Sequence, residues 1–320
     1  MNTALQPTVT TAAAPGKVIL MGEHAVVYGR PAIGLPVFQV QASAELVVDP
    51  GGHELWLHAA DLGQRHALSA TPDTDPLALC VRCTCAALGI DPPAGELSVQ
   101  ATIPLAGGLG SGAAISTAIV RVLAGWAGRR LPPAEVSTLV FEVERLHHGT
   151  PSGIDNTVIA YARPVWFVKG NAPLPFVVPH AFRLVIANSG IPSPTRATVG
   201  DVRQAWLSAP VRYEQLFSQI GRLVHQARGA LLAGDWPDLG QLLTQNHALL
   251  GQLGVSSPQL DRLTAAALAA GAWGAKLSGG GRGGNVIALV AAATSAAVAD
   301  ALHQAGAVST IITDVPVTEE

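Results

Sequence analysis

From Val37 to Val48 apolar and polar residues alternate, the two-residue period of a strand with one buried face. Glu54 to His58 is predicted as a second strand, paired with the first across the turn Asp49-Pro50-Gly51-Gly52. Asp75 to Leu88 has helical spacing, and Glu96 to Ile103 reads as a strand running into a glycine-rich stretch. A helix is predicted over Gly112 to Gly125. Leu131-Pro132-Pro133-Ala134 opens another, with proline in its first turn, reaching His147. Phe182 to Asn188 is a strand, long helices fill Val199 to Leu253, and Ser257 to Ala270 is a further helix. A strand at Gly284 to Val290, a helix at Thr294 to Ala305 and a strand at Ser309 to Thr313 complete the pattern. Strands and helices alternate irregularly, without the steady beat of a doubly wound sheet, so the expected class is α+β in two layered domains. The boundary is expected near Phe176 to Phe182, dividing the chain into 1–178 and 179–320. There is no internal repeat and no low-complexity linker.

Composition narrows the function classes. Of 320 residues 49% are apolar and 13% charged, which excludes disorder. A net charge of −3 gives no electrostatic case for nucleic acid or an anionic membrane, so an anionic ligand must be held by local devices. Only Lys17, Lys169 and Lys276 are lysines, and two of these lie in the motifs below. Met1 to Thr11 lacks a secretory pattern and Val286 to Val298 is too short to span a bilayer, so a cytoplasmic protein without a membrane partner is expected. Cys80, Cys83 and Cys85 lack a second cysteine pair for zinc and read as buried thiols on a helix.

Four stretches carry candidate chemistry. Ile103-Pro104-Leu105-Ala106-Gly107-Gly108-Leu109-Gly110-Ser111-Gly112-Ala113-Ala114 packs glycines immediately before a helix. Glycine lets consecutive amides face one concavity, and the helix start adds unpaired N–H groups and a positive dipole end. This suits nucleotide phosphates, with a tight structural turn as the alternative; no Gly-Lys-Ser/Thr makes it a Walker A loop. In Ala14 to Ala32, Pro15-Gly16 reads as a turn into a buried strand with Lys17 at its mouth, and Glu23-His24 follow a turn glycine. They are either an exposed loop or part of a site, and three polar groups between apolar runs favour a site. In Phe141 to Asn156, Glu144 sits near the end of a helix and Asp155 follows a Gly-Thr-Pro-Ser-Gly turn. One carboxylate suits Mg²⁺ beside phosphates and the other can accept a proton from a hydroxyl, although Asp155 also reads as a helix cap. His147 and His148 diverge on a helix and read as structural. Lys276-Leu277-Ser278-Gly279-Gly280-Gly281-Arg282-Gly283-Gly284-Asn285, tight between helix and strand, is neither a linker nor a nucleic-acid segment.

Together these stretches, spread from Ala14 to Leu289, resemble the GHMP small-molecule kinases, and among them the branch acting on mevalonate. Pro15 to Lys17 with Gly22-Glu23-His24-Ala25-Val26-Val27-Tyr28-Gly29 is similar to the family's first motif. Pro104 to Ala114 is similar to its ATP loop, and Lys276 to Gly284 to its third motif. The resemblance implies an N-terminal domain like ribosomal protein S5 domain 2, a C-terminal ferredoxin-like domain, and ATP-dependent phosphorylation of the 5-hydroxyl of mevalonate. It implies Asp155 as the base and Lys17 as the cation that lowers the hydroxyl's pKa and neutralises the transferring phosphoryl. Pro104, Gly107, Gly108, Leu109, Gly110, Ser111, Gly112 and Ala113 would cradle ATP, and Glu144 with Ser111 would hold Mg²⁺. Glu23, His24, Arg196, Ser278, Gly279 and Gly280, with Asp155, would meet the small-molecule partner, mevalonate. A homodimer is left open. The chain departs from the family at Gly112, where a second serine is usual, and at Gly280 and Arg282, where alanine and glycine are usual. The alternatives are a kinase or decarboxylase of a phosphorylated mevalonate, a non-catalytic nucleotide sensor, and, more distantly, a nicotinamide dehydrogenase.

Overall fold

The computed structural model describes residues 8–104, 107–148 and 151–318, with the backbone alone at 146–148. The chain divides into two compact units that interleave along the sequence. The first comprises Met1–Gly16, Val40–Pro104 and Gly110–Ala162, and the second Lys17–Gln39, Leu105–Leu109 and Arg163–Glu320.

Two long strands, β1 (Thr8–Met21) and β2 (Ala32–Val48), pair with each other, and each has a segment in both units. In the first unit the later part of β2 buries Val40, Ala42, Ala44 and Leu46 while Gln41 and Glu45 face solvent. That is the predicted alternation. Its partner differs from the prediction: β5 (Gly95–Ala101) pairs antiparallel with β2, setting Leu97 opposite Leu46, and β3 (Leu55–Ala59) runs parallel to β5. The Asp49–Gly52 turn forms, with Gly52 N donating to Asp49 O, but it leads the chain past β2 and leaves room for β5. Gly95 makes the insertion possible. With φ at +140°, it lies where a Cβ would come within 2.1 Å of the Val47 carbonyl. β4 (Gln64–Ala67) pairs with β3.

Among the described residues the α-helices of this unit are α1 (Pro76–Leu88), α2 (Ser111–Trp126), α3 (Pro133–His148) and α4 (Ile154–Tyr161). Asp75 caps α1 by accepting from the amide of Ala78, and the helix buries Ala78, Cys80, Val81, Thr84, Cys85 and Leu88 at helical spacing. Burial pushes the Cys80 thiol up to about 12 and the Cys85 thiol to about 11.

In the second unit the first residues of β2 pair with β6 (Val165–Phe167), and β6 pairs with β7 (Leu174–Pro175). A separate antiparallel sheet has the order β11 (Ser309–Val315), β8 (Phe182–Asn188), β10 (Asn285–Val290), β9 (Gly274–Ser278). β9 and β10 are buried at every residue, as strands sealed on both faces must be. The helices are α5 (Thr195–Ser208), α6 (Pro210–Ala233), α7 (Trp236–Gln252), α8 (Pro258–Ala269) and α9 (Ser295–Gln304). Asp235 and Ser257 cap α7 and α8, each followed by proline in the first turn. α7 lies against β9 at a glycine-on-glycine contact: a Cβ on Gly274 would sit 1.9 Å from the Gly240 carbonyl oxygen. No helix is long and apolar enough to cross a membrane among the described residues.

Candidate active site

Within the second unit, β1 from Val18 to Met21 is fully buried, and Lys17 itself is 2% exposed. Pro15-Gly16 does not turn the chain; both residues lie inside β1, and the Lys17 amide donates to the carbonyl of Leu109 (2.9 Å). The turn comes at Gly22, whose φ is +105° and where a Cβ would be 2.6 Å from Ala32 Cα. No other residue fits there. Glu23 and His24 follow, 1% and 5% exposed, the reverse of a solvated loop. His24 takes a positive φ of 59°, and a short 3-10 turn, Ala25–Tyr28, then carries the Tyr28 ring onto Phe217 of α6 at 4.0 Å between centroids.

His24 Nε2 lies 3.0 Å from the Gly280 carbonyl, which only accepts, so Nε2 carries the proton. Burial is the main cause that lowers the His24 pKa to about 4, with the charges of Arg282 and Lys276 adding and the Gly280 bond opposing. The imidazole is therefore neutral near pH 7, with Nδ1 an acceptor.

Lys276, in the middle of β9, is completely buried and forms an ion pair with Glu23 Oε1. Its ammonium also donates to the Leu277 carbonyl at 2.6 Å, and Asn246 of α7 donates to Glu23 Oε2 at 3.4 Å. Burial lowers the Lys276 pKa and Glu23 opposes the shift. Sequence reasoning gave Lys276 no role in the site; its signals were scarcity, as one of three lysines, and its place at the head of the third glycine-rich motif. Ser278, two residues on, uses its hydroxyl to bond both the amide and the carbonyl of Ile19 in β1 (3.1 and 2.9 Å).

The glycine-rich turn after β9 packs onto the glycine loop. Asn285 donates to the Gly107 carbonyl, a Cβ on Gly279 would lie 3.9 Å from the Gly108 carbonyl, and one on Gly284 would lie 3.6 Å from that of Gly107. Gly281 has φ +80°, with the Val255 carbonyl 2.1 Å from where a Cβ would be. At Gly280 a Cβ would meet Thr195 Oγ1 at 2.5 Å. Arg282 does not carry free charge into this turn: its guanidinium bonds Asp201 and the Gly254 carbonyl. Arg196 is exposed in the first turn of α5. Leu105 and Ala106 of the loop lie outside the described residues, as do Gly149 and Thr150 and the side chains of His147 and His148.

The first unit carries the remaining candidates. Pro104 is half-buried where the chain leaves β5. Gly110, left-handed at φ +79°, caps α2, and Ser111, Gly112 and Ala113 form its first turn. The Ser111 hydroxyl oxygen is buried without a hydrogen-bond partner. Glu144, on α3 and 6% exposed, aims Oε1 at Gly112, 3.3 Å from where a Cβ would stand. Asp155 is half-buried in the first turn of α4, where a negative charge is favoured, and Gly153 takes the cap position instead. Asn156 and Thr157 lock that turn: Asn156 Nδ2 donates to the carbonyl and hydroxyl of Ser137 (3.0 and 2.8 Å), and Thr157 donates to Gly153 O (2.6 Å). A helix start can hold an anion, and a hydroxyl with a buried carboxylate forms a hard oxygen donor set for a cation that also takes phosphate oxygens.

Residues 77–163 match the GHMP kinases N terminal domain and residues 227–308 the GHMP kinases C terminal family. The chain belongs to the GHMP kinases. Mevalonate kinase of Pyrococcus horikoshii is 33% identical to it, covering 94% of each chain. That of Pyrococcus furiosus is 32% identical over 87% of this chain and 88% of its own. The crystal structure of L. major mevalonate kinase in complex with R-mevalonate superposes with a TM-score of 0.85 at 28% identity, covering all of both chains. The fold also matches Streptococcus pneumoniae phosphomevalonate kinase, TM-score 0.82 at 15% identity over 94% of this chain and 99% of the other.

Proposed function

We propose that this kinase transfers the γ-phosphoryl group of ATP to the 5-hydroxyl of mevalonate. The observation that carries the chemistry is the start of α2: a left-handed glycine cap, a buried hydroxyl on Ser111 without a protein partner, and the Glu144 carboxylate facing Gly112. The relatives' shared activity supports the choice of alcohol. Phosphoryl transfer asks a protein mainly for positioning and charge stabilisation.

In this reading the amides from Gly107 to Ala113 hold the nucleotide phosphates, and Asp155 accepts the proton of the 5-hydroxyl. Lys17 stabilises the alkoxide character and phosphoryl charge that develop. The Ser111 hydroxyl and the Glu144 carboxylate fit Mg²⁺, which would neutralise charge on the phosphate oxygens. His24, neutral, offers Nδ1 as an acceptor to a substrate hydroxyl, and Arg196 supplies positive charge at the start of α5.

The test supplies mevalonate, phosphomevalonate and diphosphomevalonate separately with ATP and follows ADP release. Turnover of mevalonate alone is expected. Turnover of a phosphorylated mevalonate in preference to mevalonate overturns the reading, as does ATP binding without turnover of any of the three.

A further inference from the structure

Glu23 and His24 are consecutive, and both are gripped by one short stretch of chain more than 250 residues away. Glu23 meets Lys276 in β9, and His24 meets the carbonyl of Gly280 in the turn that β9 enters. We propose that Lys276 is a positioning residue for the phosphorylation reaction: it anchors the Glu23 carboxylate and thereby holds His24 in the tight positive-φ turn (φ 59°, ψ −50°) that seats its imidazole on Gly280. This rests on the functional reading above and assigns Glu23 an indirect part in it.

The carboxylate's contacts define that part. Lys276 occupies Oε1 and Asn246 lies along Oε2, both from buried positions, so both oxygens are engaged by the protein. A lysine with no exposed surface is an expensive way to gain stability, because a buried ion pair seldom outweighs a well-packed apolar pair of similar volume. Its contribution here is geometric. A histidine at φ 59° is in a strained region for a residue with a Cβ and persists only where its surroundings over-determine it. Three restraints do so: the Gly22 turn jammed against Ala32, the Glu23–Lys276 pair, and the Nε2 bond to Gly280. The ammonium is fixed in turn by the Leu277 carbonyl, while the Leu277 amide donates to His247 Nδ1 (3.2 Å) on α7. α7 and β9 therefore set the pair as one block.

The experiment compares wild type with Glu23→Gln, Lys276→Met and the double variant, which leaves no bare buried charge. If the two side chains work as one unit, kcat/KM for mevalonate falls about 100-fold in each single variant, the scale of a misplaced substrate-positioning group. The double variant then falls no further, and KM for ATP stays within about twofold throughout. Losses that multiply in the double variant overturn the proposal, as does wild-type kcat/KM in a folded Lys276→Met.

A readout free of substrate identity is the ¹H–¹³C titration of the His24 imidazole. In wild type it titrates near pH 4; loss of the Lys276 charge raises it in Lys276→Met, and a rise also in Glu23→Gln, where the ammonium side chain remains, marks the ring leaving Gly280 for water. A titration unchanged by Glu23→Gln overturns the proposal. If wild type fails to phosphorylate mevalonate, the functional reading falls and this titration alone decides the role of Lys276. If Lys276→Met does not fold, the double variant carries both readouts, and wild-type values in both refute the anchor.

Discussion

Replacing Asp155 with asparagine removes a charge and almost no volume. The turn that carries it is held by the two Asn156 bonds to Ser137, the Thr157 bond to Gly153 and the buried Ile154, none of which uses the Asp155 carboxylate. Loss of the anion at the start of α4 by itself costs about 0.3–1 kcal/mol. The chemical step loses its proton acceptor, a contribution of about 10²–10⁴ in rate, or roughly 3–5 kcal/mol of barrier. Asp155→Asn is therefore expected to remain folded, with a cooperative urea transition, and to bind ATP by calorimetry with nearly unchanged affinity, while kcat drops at least 100-fold. Asn156→Ala makes the opposite trade. It strips two bonds from a buried side chain at about 1–3 kcal/mol in stability, and leaves kcat largely intact wherever the variant is folded. Asp155→Asn retaining more than about a tenth of wild-type turnover would refute the role of general base.

At Gly112 a serine Cβ would stand 3.3 Å from Glu144 Oε1, so Gly112→Ser needs the carboxylate to give way by a few tenths of an ångström. The variant should fold at least as well, since serine is the better helix former, and its Mg²⁺ dependence of turnover should shift; an unchanged Mg²⁺ titration would remove Glu144 from the metal. Gly274→Ala forces α7 and β9 apart by more than an ångström and should cost about 3 kcal/mol or more in a denaturant titration; a loss under about 1 kcal/mol would contradict the contact. His24 titrates near 4 folded and 6.5 unfolded, so below pH 6.5 the unfolded chain binds the extra proton. Its contribution to stability is complete above 6.5 and is lost as pH falls toward 4, by about 3 kcal/mol in all. His24→Asn, which has no group titrating in this range, should flatten that part of the acid limb in urea titrations at stepped pH; an unaltered acid limb would assign the loss to other groups.

Elements with local signals were legible. Phe182–Asn188 and the capped helix after Ser257 fall where spacing and cap residues put them. The long first strand was not, because Pro15-Gly16 has the composition of a turn; in the structure Gly16 has no positive φ and both residues sit within β1. β9 escaped for a related reason. A sealed strand shows no alternation, and its glycine is required by α7 rather than by a turn. The pairing of β3 was misjudged because nearness in sequence does not select a partner once a glycine lets another strand in between. Among the site residues, the glycine loop and the Gly-Glu-His turn were visible as patterns. Lys276 was not, since nothing local to it tells that its partner is a carboxylate at the other end of the chain.

The distance along the chain between Glu23 and Lys276, 253 residues, also has a temporal side. At ribosomal speeds of about 5–20 residues per second, the acid emerges roughly 13 to 50 seconds before the base that neutralises it. For that interval the Glu23 carboxylate has no Lys276 to pair with and stays solvated. A polypeptide cut short before Lys276 thus keeps a carboxylate that it cannot bury in this pairing.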